Sequence, residues 1–439
     1  MFGMGLTMPY LMVYLHVVRH LSLVEAGLVL STSSLAGLLA VPASGWVMDR
    51  YGTLKVMVLA LLAVAVGTMG YTVVRSLFPA LLAAVFSGAG GATMWAALNA
   101  RMAELTDESN RAQVFGLSYA VQNLGLGLGS GVSGLVVHTR VPTSFVLIFL
   151  LDALTYLAFI PFVLPGLSLV GRLSGKVQAV FDSHDFDSHE TEDTLASRLA
   201  PLPETHPAFV NPVSVVGDET RGAPVKVGYG AVLRDRGLLG AAALNALFVT
   251  FGFSQLTSAF STWAVSFAGV GTRITGFAFF ANCIVIALIQ LPILRLTAHW
   301  RRTRAAAVAA LGFALAWLVV VAAGRHHVGW TAGMLIAALI VFGVAETFLS
   351  PSLSPLVNNL APTALRGRYN AVFGLSWQVG SILGPILAGV ALGLGIGVGL
   401  FVVLVAVSGA GAMWALALER VVPPQANHGD VAPDKISIT

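Results

Sequence analysis

The chain has 439 residues, of which 56% are hydrophobic and only 10% charged, and its mean hydropathy is +0.84. A soluble domain carries about 25% charged residues, so this chain is no water-soluble globule and its natural solvent is a bilayer. A formal net charge of +4 does not mark a nucleic-acid binder, because the basic residues are spread over loops and form no patch.

A spanning helix needs about 20 apolar residues. Runs of that kind lie near 1–18, 25–48, 54–74, 77–103, 112–137, 142–165, 236–262, 272–294, 303–324, 329–356, 368–392 and 395–419. They predict an all-α polytopic membrane protein with twelve spans. Barrel strands would be shorter and would alternate. The first run leads into further spans and lacks a basic start, so it reads as a span and not as a cleaved signal. Along it, Thr7 and Tyr10 are candidates to line a cavity. The second and third spans join through GWVMDRYGTLK, where Gly45 and Gly52 permit a tight turn. In that loop Asp49 can accept hydrogen bonds from a helix N-terminus, and Arg50 and Lys55 add positive charge. Asn99 and Arg101 fall toward the end of the fourth span. The fifth carries GLGLGSGVSG, with Gly125, Gly129 and Gly134, and the sixth carries Asp152.

Residues 166–235 are polar, acidic and rich in Ser and Pro. They read as a flexible linker with a short helix near 194–200. His184 and His189 in its doubled DSH read as part of a solvated acidic loop. The domains expected are thus a six-helix bundle 1–165, the linker, a second bundle 236–420 and a tail 421–439. In the second bundle, Asn245 and Gln255 are cavity candidates on the seventh span. Glu346 sits inside the tenth. APTALRGRYNAVFG, with Arg366 and Arg368, leads into the eleventh, which carries Gly380, Gly384, Pro385 and Gly389.

Loop charge orients the chain. With both termini cytoplasmic, the outer loops hold only Arg19, Arg75, Arg140, Arg273 and Arg325 of the 24 Lys and Arg, as cytoplasmic excess of positive charge requires. The halves also repeat. An offset of 255 aligns Gly88 with Gly343, Arg111 with Arg366, and Gly125, Gly129 and Gly134 with Gly380, Gly384 and Gly389. An offset of 250 aligns Pro42 with Pro292, and one of 247 aligns Gly5 with Gly252. Parallel six-helix repeats are a known transporter architecture. By the same comparison the first span is short before its glycine, and we expect that this sequence lacks the start of that helix.

Of the 20 Asp and Glu, only Asp152 and Glu346 fall near the middle of a span. A charge at the bilayer centre costs about 2.5–3.5 kcal/mol on insertion scales, and a carboxyl kept from water favours its protonated form. A group that holds a proton when buried and releases it when wetted can carry protons.

These motifs resemble those of the major facilitator superfamily. Gly45, Asp49, Arg50, Gly52 and Lys55 match its second-to-third-span loop, which in the family latches the cytoplasmic ends of the two halves. The equivalent loop of the second half, RLTAHWRRTR, has His299 in place of the aspartate. Gly380–Gly389 resembles the glycine–proline motif of drug:proton antiporters. The fifth span has Ser130 at the position of that proline. Gly343, Ala345, Glu346 and Pro351, followed by Ala361, Pro362 and Arg366–Tyr369, resemble the tenth-to-eleventh-span region of the same branch. The branch places an arginine on the fourth span where this chain has Ala84. The resemblance implies that spans 1, 4, 7 and 10 line a central cavity. It favours Glu346 over Asp152 for coupling and places Arg101 and Arg111 at the cytoplasmic gate. It implies a secondary transporter, exporting a small hydrophobic or amphipathic compound against protons, with sodium as the alternative ion. Uptake by proton symport and a non-transporting sensor or scaffold are the other readings. No nucleophile–base pair, metal cluster or P-loop points to an enzyme, and no cofactor is expected. The expected setting is the cell membrane, the expected partners are substrate, ion and lipid, and the expected state is a monomer.

Overall fold

A computed structural model describes residues 1–106, 111–164, 229–324, 328–362 and 365–428. Nearly all of the expected linker, with its short helix and histidines, lies outside these residues. Among the described residues, ten helices are long and apolar enough to cross a membrane. They are the second (Leu23–Tyr51), third (Thr53–Thr72), fourth (Leu77–Leu105), sixth (Pro142–Val163) and seventh (Arg236–Ser266) spans. The others are the eighth (Thr272–Thr297), ninth (Arg302–Ala323), tenth (Val328–Leu349, continuing as Leu353–Leu360), eleventh (Arg366–Gly393) and twelfth (Gly397–Leu418). The fifth is Arg111–Val136. The first is broken into Phe2–Thr7, Leu11–Val13 and a π-helical turn Tyr14–Val18.

The breaks follow the sequence. Pro9 lacks a backbone donor and crowds the preceding turn, and the first span kinks there. Pro351 interrupts the tenth in the same way. Ser22 caps the second span reciprocally with Glu25: Ser22 N donates to Glu25 Oε2 (2.8 Å) and Glu25 N to Ser22 Oγ (3.2 Å). Gly52 joins the second and third spans at φ +87°, a left-handed conformation that a side chain strains.

Each half is one packed set. The second span lies on the fourth, the third on the fourth and sixth, and the first on the fifth and sixth. Likewise the eighth lies on the tenth, the ninth on the tenth and twelfth, and the seventh on the eleventh and twelfth. The halves meet mainly along two seams, fifth against eighth and second against eleventh.

The glycines of the repeat serve both the packing within each half and the seams between them. Gly125 and Gly129 pack on the first span, at Met1, Phe2 and Gly5. Their counterparts Gly380 and Gly384 pack on the seventh, at Val249, Thr250 and Ser254. One turn further, Gly134 meets Gly276 of the eighth span, while Gly389 meets Leu23 and Val24 of the second. Gly88 backs onto Ser33 of the second span as Gly343 backs onto Asn282 of the eighth. Gly27 meets Pro385 as Gly276 meets Ser130, so the pairs Gly27/Gly276 and Ser33/Asn282 place the structural register of these spans at an offset of 249. That is one residue from the offset inferred from Pro42 and Pro292. Small residues let backbones touch in a membrane, where no hydrophobic force drives helices together.

Candidate functional site

The two ends of the bundle differ. At the end that carries His20, the halves are bolted. Tyr10 Oη donates to Thr272 O (2.8 Å), Thr272 Oγ1 to Val137 O (2.5 Å), and Ser31 Oγ to Ile382 O (2.6 Å). At the end that carries Gly52, the motif loop stands free. Asp49, Arg50 and Lys55 are exposed, and Asp49 pairs with no described residue. A Cβ at Gly45 or Gly52 would meet nothing within 4 Å. Arg50 lies over the rings of Trp46 and Tyr51, at 5.7 and 5.8 Å. Hydrogen bonds thus join the halves at the His20 end, while the loop around Asp49 at the other end makes no pairing with the opposite half among the described residues.

Glu346 lies between these ends. Close packing fixes the rotation of its span. Gly343 touches Asn282 of the eighth span, and Ala345 touches Gly312 of the ninth. Asn282 Nδ2 also donates to Leu339 O (3.0 Å). Glu346 is 7% exposed and makes no hydrogen bond or ion pair with a described residue. The tenth span thus packs on the eighth at Asn282, next to Cys283, and Cys283 meets Gly127 of the fifth span at the seam between the halves.

Asp152 is placed differently. It is 3% exposed, and Thr7 Oγ1 donates to its Oδ2 at 2.7 Å. Its Oδ1 is buried without a protein partner. A Cβ on Gly3 would lie 2.5 Å from that oxygen, so the first span approaches it through glycine. Thr7 and Asp152 thus form a tie between first and sixth spans.

The other candidates scatter. Tyr10 is fully buried, with its hydroxyl in the His20-end bolt. Asn245 Nδ2 donates to Ser376 Oγ of the eleventh span (2.9 Å). Gln255 Nε2 donates to Thr250 O (2.7 Å) and Gly384 O (3.1 Å), so it holds the seventh span to the eleventh. Asn99 is buried, and its Nδ2 lacks a partner. Arg101 is half-buried at the end of the fourth span. Arg111 opens the fifth span, and its side chain lies outside the described residues. Arg366 is exposed, and Arg368 lies 5.8 Å over the ring of Tyr229. Tyr369 Oη donates to Asp235 Oδ2 (2.8 Å), while Asp235 Oδ1 caps the seventh span at Gly237 N and Leu238 N. The RGRY segment therefore anchors within its own half.

Two features were not read from the sequence. The eighth-to-ninth loop, which lacks the aspartate, takes its acid from the far end of the twelfth span. Glu419 pairs with Arg301 and, at 3.4 Å, with Arg304. The tail continues the tie: Asn427 Oδ1 accepts from Thr303 N and its Nδ2 donates to Thr303 Oγ1, both at 3.0 Å. The second feature is an aromatic group around Phe253, Phe313, Phe342 and Trp377. Mid-span aromatics in seventh, ninth, tenth and eleventh spans were its only signal, and that signal does not distinguish core from site.

Two six-helix halves meeting along glycine-lined seams, with a buried acid beside one of them, define a helical membrane transporter. The family model of the Major Facilitator Superfamily matches residues 1–287 and 242–437, and the chain belongs to that superfamily. It is similar to the uncharacterized MFS-type transporter YqjV of Bacillus subtilis, 24% identical over 390 residues, which are 88% of this chain and 82% of that protein. A shorter stretch is similar to the quinolone resistance protein NorA of Staphylococcus aureus, 27% identical over 162 residues, 36% of this chain and 40% of NorA. A POT family transporter in complex with 5-aminolevulinic acid superposes with a TM-score of 0.68 at 15% identity, covering 96% and 94% of the two chains. The nucleoside transporter NupG (D323A mutant) superposes with 0.65 at 14% identity, covering 95% and 97%. These last two likenesses concern the fold alone.

Proposed function

We propose that this transporter works by alternating access and exports a small hydrophobic or amphipathic compound in exchange for protons, with Glu346 as the proton carrier. The carrying observation is the placement of Glu346. It is a mid-span acid without a partner among the described residues, beside a seam that must open and close. A carboxyl kept from water favours its neutral form and ionises once wetted, so movement of the seam would load and unload it. Asp152, tied to Thr7, takes a positioning role. The partial similarity to NorA and the glycine–proline motif at Gly380–Gly389 favour export. The positive-inside pattern favours a cell-membrane setting with both termini and the Gly52 end in the cytoplasm. On this reading the structure is the inward-facing state. The bundles 1–165 and 236–420 are then its moving halves, joined by the 166–235 linker.

The test is counterflow in proteoliposomes, with substrate found by a thermal-shift screen at acidic and neutral pH. An acidified lumen should drive accumulation of substrate there. Glu346→Gln keeps the shape and removes titration, and it should abolish this response. Unchanged turnover and pH dependence in that variant would remove Glu346 from the coupling. Acid-driven efflux from the lumen would indicate symport.

A further inference from the structure

The outer surface of the second half carries a groove. The eighth and ninth spans each pack along the tenth but scarcely along each other. Gly343 touches Asn282 of the eighth, and Ala345 touches Gly312 of the ninth. In helical rotation Val344 lies between these two contacts, while Phe342 and Glu346 lie on the opposite, inner side. Gly333, Ala337, Ile340 and Phe348 share the side of Val344, and the whole stripe is exposed or half-buried. It forms the floor of a groove walled by the eighth and ninth spans. The far end of the floor is made of small residues, and a Cβ on Gly333 would meet nothing within 4 Å.

The near end is positively charged. Trp300 of the eighth-to-ninth loop is exposed, and its ring centroid lies 6.1 Å from that of Phe348 with planes inclined by 32°. The loop therefore crosses the end of the groove. Arg302 Nη1 donates to Pro351 O (3.4 Å), one turn beyond Phe348. Arg295, Arg301 and Arg304 stand in or beside the same loop, and Arg420 follows Glu419 at the end of the twelfth span. Arg295, Arg304 and Arg420 are exposed. Residues 286–305 include no Asp or Glu, and the carboxylate that reaches the loop, Glu419, pairs with Arg301 and Arg304. Positive charge is thus in surplus at the level of Trp300, and Trp marks the membrane–water interface. Apolar surface continues from it. Arg295 ends the exposed stripe Leu288 and Leu291 of the eighth span, and Arg304 heads the exposed stripe Val308, Leu311 and Leu315 of the ninth.

We infer that this groove holds an acyl chain of an anionic phospholipid whose phosphate is bound by Arg295 and Arg304. A guanidinium presents paired donors that match phosphate oxygens, and basic pockets between spans take anionic lipid headgroups. A neutral lipid would leave the surplus charge unmatched, and a soluble phosphate would leave the apolar floor uncovered. The length also fits. Phe348 to Ala337 is about 16 Å at about 1.5 Å per residue, and one leaflet contributes about 15 Å of hydrocarbon. The groove faces away from the inner side of the tenth span, so the inference does not depend on which compound is transported.

The experiment is native mass spectrometry of the delipidated full-length protein, titrated separately with dioleoylphosphatidylglycerol, dioleoylphosphatidylcholine and glycerol 3-phosphate. Wild-type protein should bind phosphatidylglycerol about tenfold more tightly than phosphatidylcholine. Arg295→Gln and Arg304→Gln should each weaken phosphatidylglycerol about fivefold and leave phosphatidylcholine within about twofold of wild type. Ala337→Phe fills the groove without changing charge, and it should weaken both lipids about fourfold for each CH2 it displaces. Melting temperatures near wild type would show that the variants fold. Equal binding of the two lipids, or glutamine variants that bind phosphatidylglycerol as wild type, would overturn the inference. Unchanged lipid binding in Ala337→Phe, or displacement of phosphatidylglycerol by an equal concentration of glycerol 3-phosphate, would overturn it too, because the arginines would then hold an anion and the groove no chain.

Discussion

Gly276 of the eighth span lies against Gly134 of the fifth so closely that a Cβ on Gly276 would sit 2.5 Å from the Gly134 Cα. The same Cβ would also lie 2.5 Å from Ser130 O and 2.6 Å from Tyr10 Oη. The first two of these neighbours are backbone atoms, which cannot turn aside. Closure at the His20 end therefore depends on the absence of one methyl group.

Gly276→Ala should open that end. Overpacking of this kind costs about 1–3 kcal/mol, enough to move a two-state equilibrium by about tenfold or more. Spin labels at the exposed positions Val73 and Leu394, on opposite halves, would report a longer distance in the variant. The background would carry Cys283→Ala, since Cys283 is the only native thiol. Gly271→Ala is the control: a Cβ there meets nothing within 4 Å, so the distance should stay as in wild type. An unchanged distribution in Gly276→Ala would show that the seam yields in some other way.

Glu346 and Asp152 should respond differently to neutralisation. Glu346→Gln should remove the dependence of transport on the pH gradient, while Asp152→Asn should retain it. Thr7→Val should lower stability by about 1–3 kcal/mol, because it leaves Asp152 Oδ2 buried without its donor. Transport at a series of imposed gradients, with melting curves alongside, separates the roles. Loss of the gradient response in Asp152→Asn, with its melting temperature kept, would move coupling to the sixth span.

The sequence revealed most where chemistry is local or repeated. Twelve apolar runs predicted the spans, and the offset of 255 located glycines that occupy equivalent contacts in the two halves. Gly52 could be placed from the turn it must make. The role of Tyr10 could not be read, because its partner Thr272 lies 262 positions away on the other half. Proximity of that kind exists only after folding. Glu419 was hidden for the same reason. The loop around His299 looked incomplete, and the acid that completes it arrives from the end of the twelfth span. Phe253 and Trp377 read as two aromatics among many, since periodicity carries no information on which rings meet.

The loop around Asp49 gives a prediction of opposite sense to Gly276→Ala. In the present state Asp49 is exposed and pairs with no described residue, so Asp49→Asn should leave this state's stability within about 0.5 kcal/mol of wild type. If the loop latches the Gly52 end in the opposite state, the variant should lose that latch. The Val73–Leu394 distance should then shift toward its short, closed population, and turnover should fall. Unchanged turnover would mean that the loop acts only as a turn.

The tail offers a test of how the second half manages without an aspartate in its own loop. Thr303 N, in the first turn of the ninth span, donates to Asn427 Oδ1, and Thr303 Oγ1 accepts from Asn427 Nδ2. Thr303 is 0% and Asn427 2% exposed. Asn427→Ala leaves a buried backbone donor without its partner, at a cost of about 1–3 kcal/mol. Glu419→Gln acts on a more exposed contact. Its partners Arg301 and Arg304 have side chains 40% and 58% exposed, so the loss should be below about 1 kcal/mol. The expected order of melting temperatures is therefore wild type, then Glu419→Gln, then Asn427→Ala. Added salt should narrow the gap between the first two and leave the gap between wild type and Asn427→Ala unchanged, because screening acts on exposed charges and not on buried hydrogen bonds. If Glu419→Gln proved the more damaging, the ion pairs and not the cap would hold the loop.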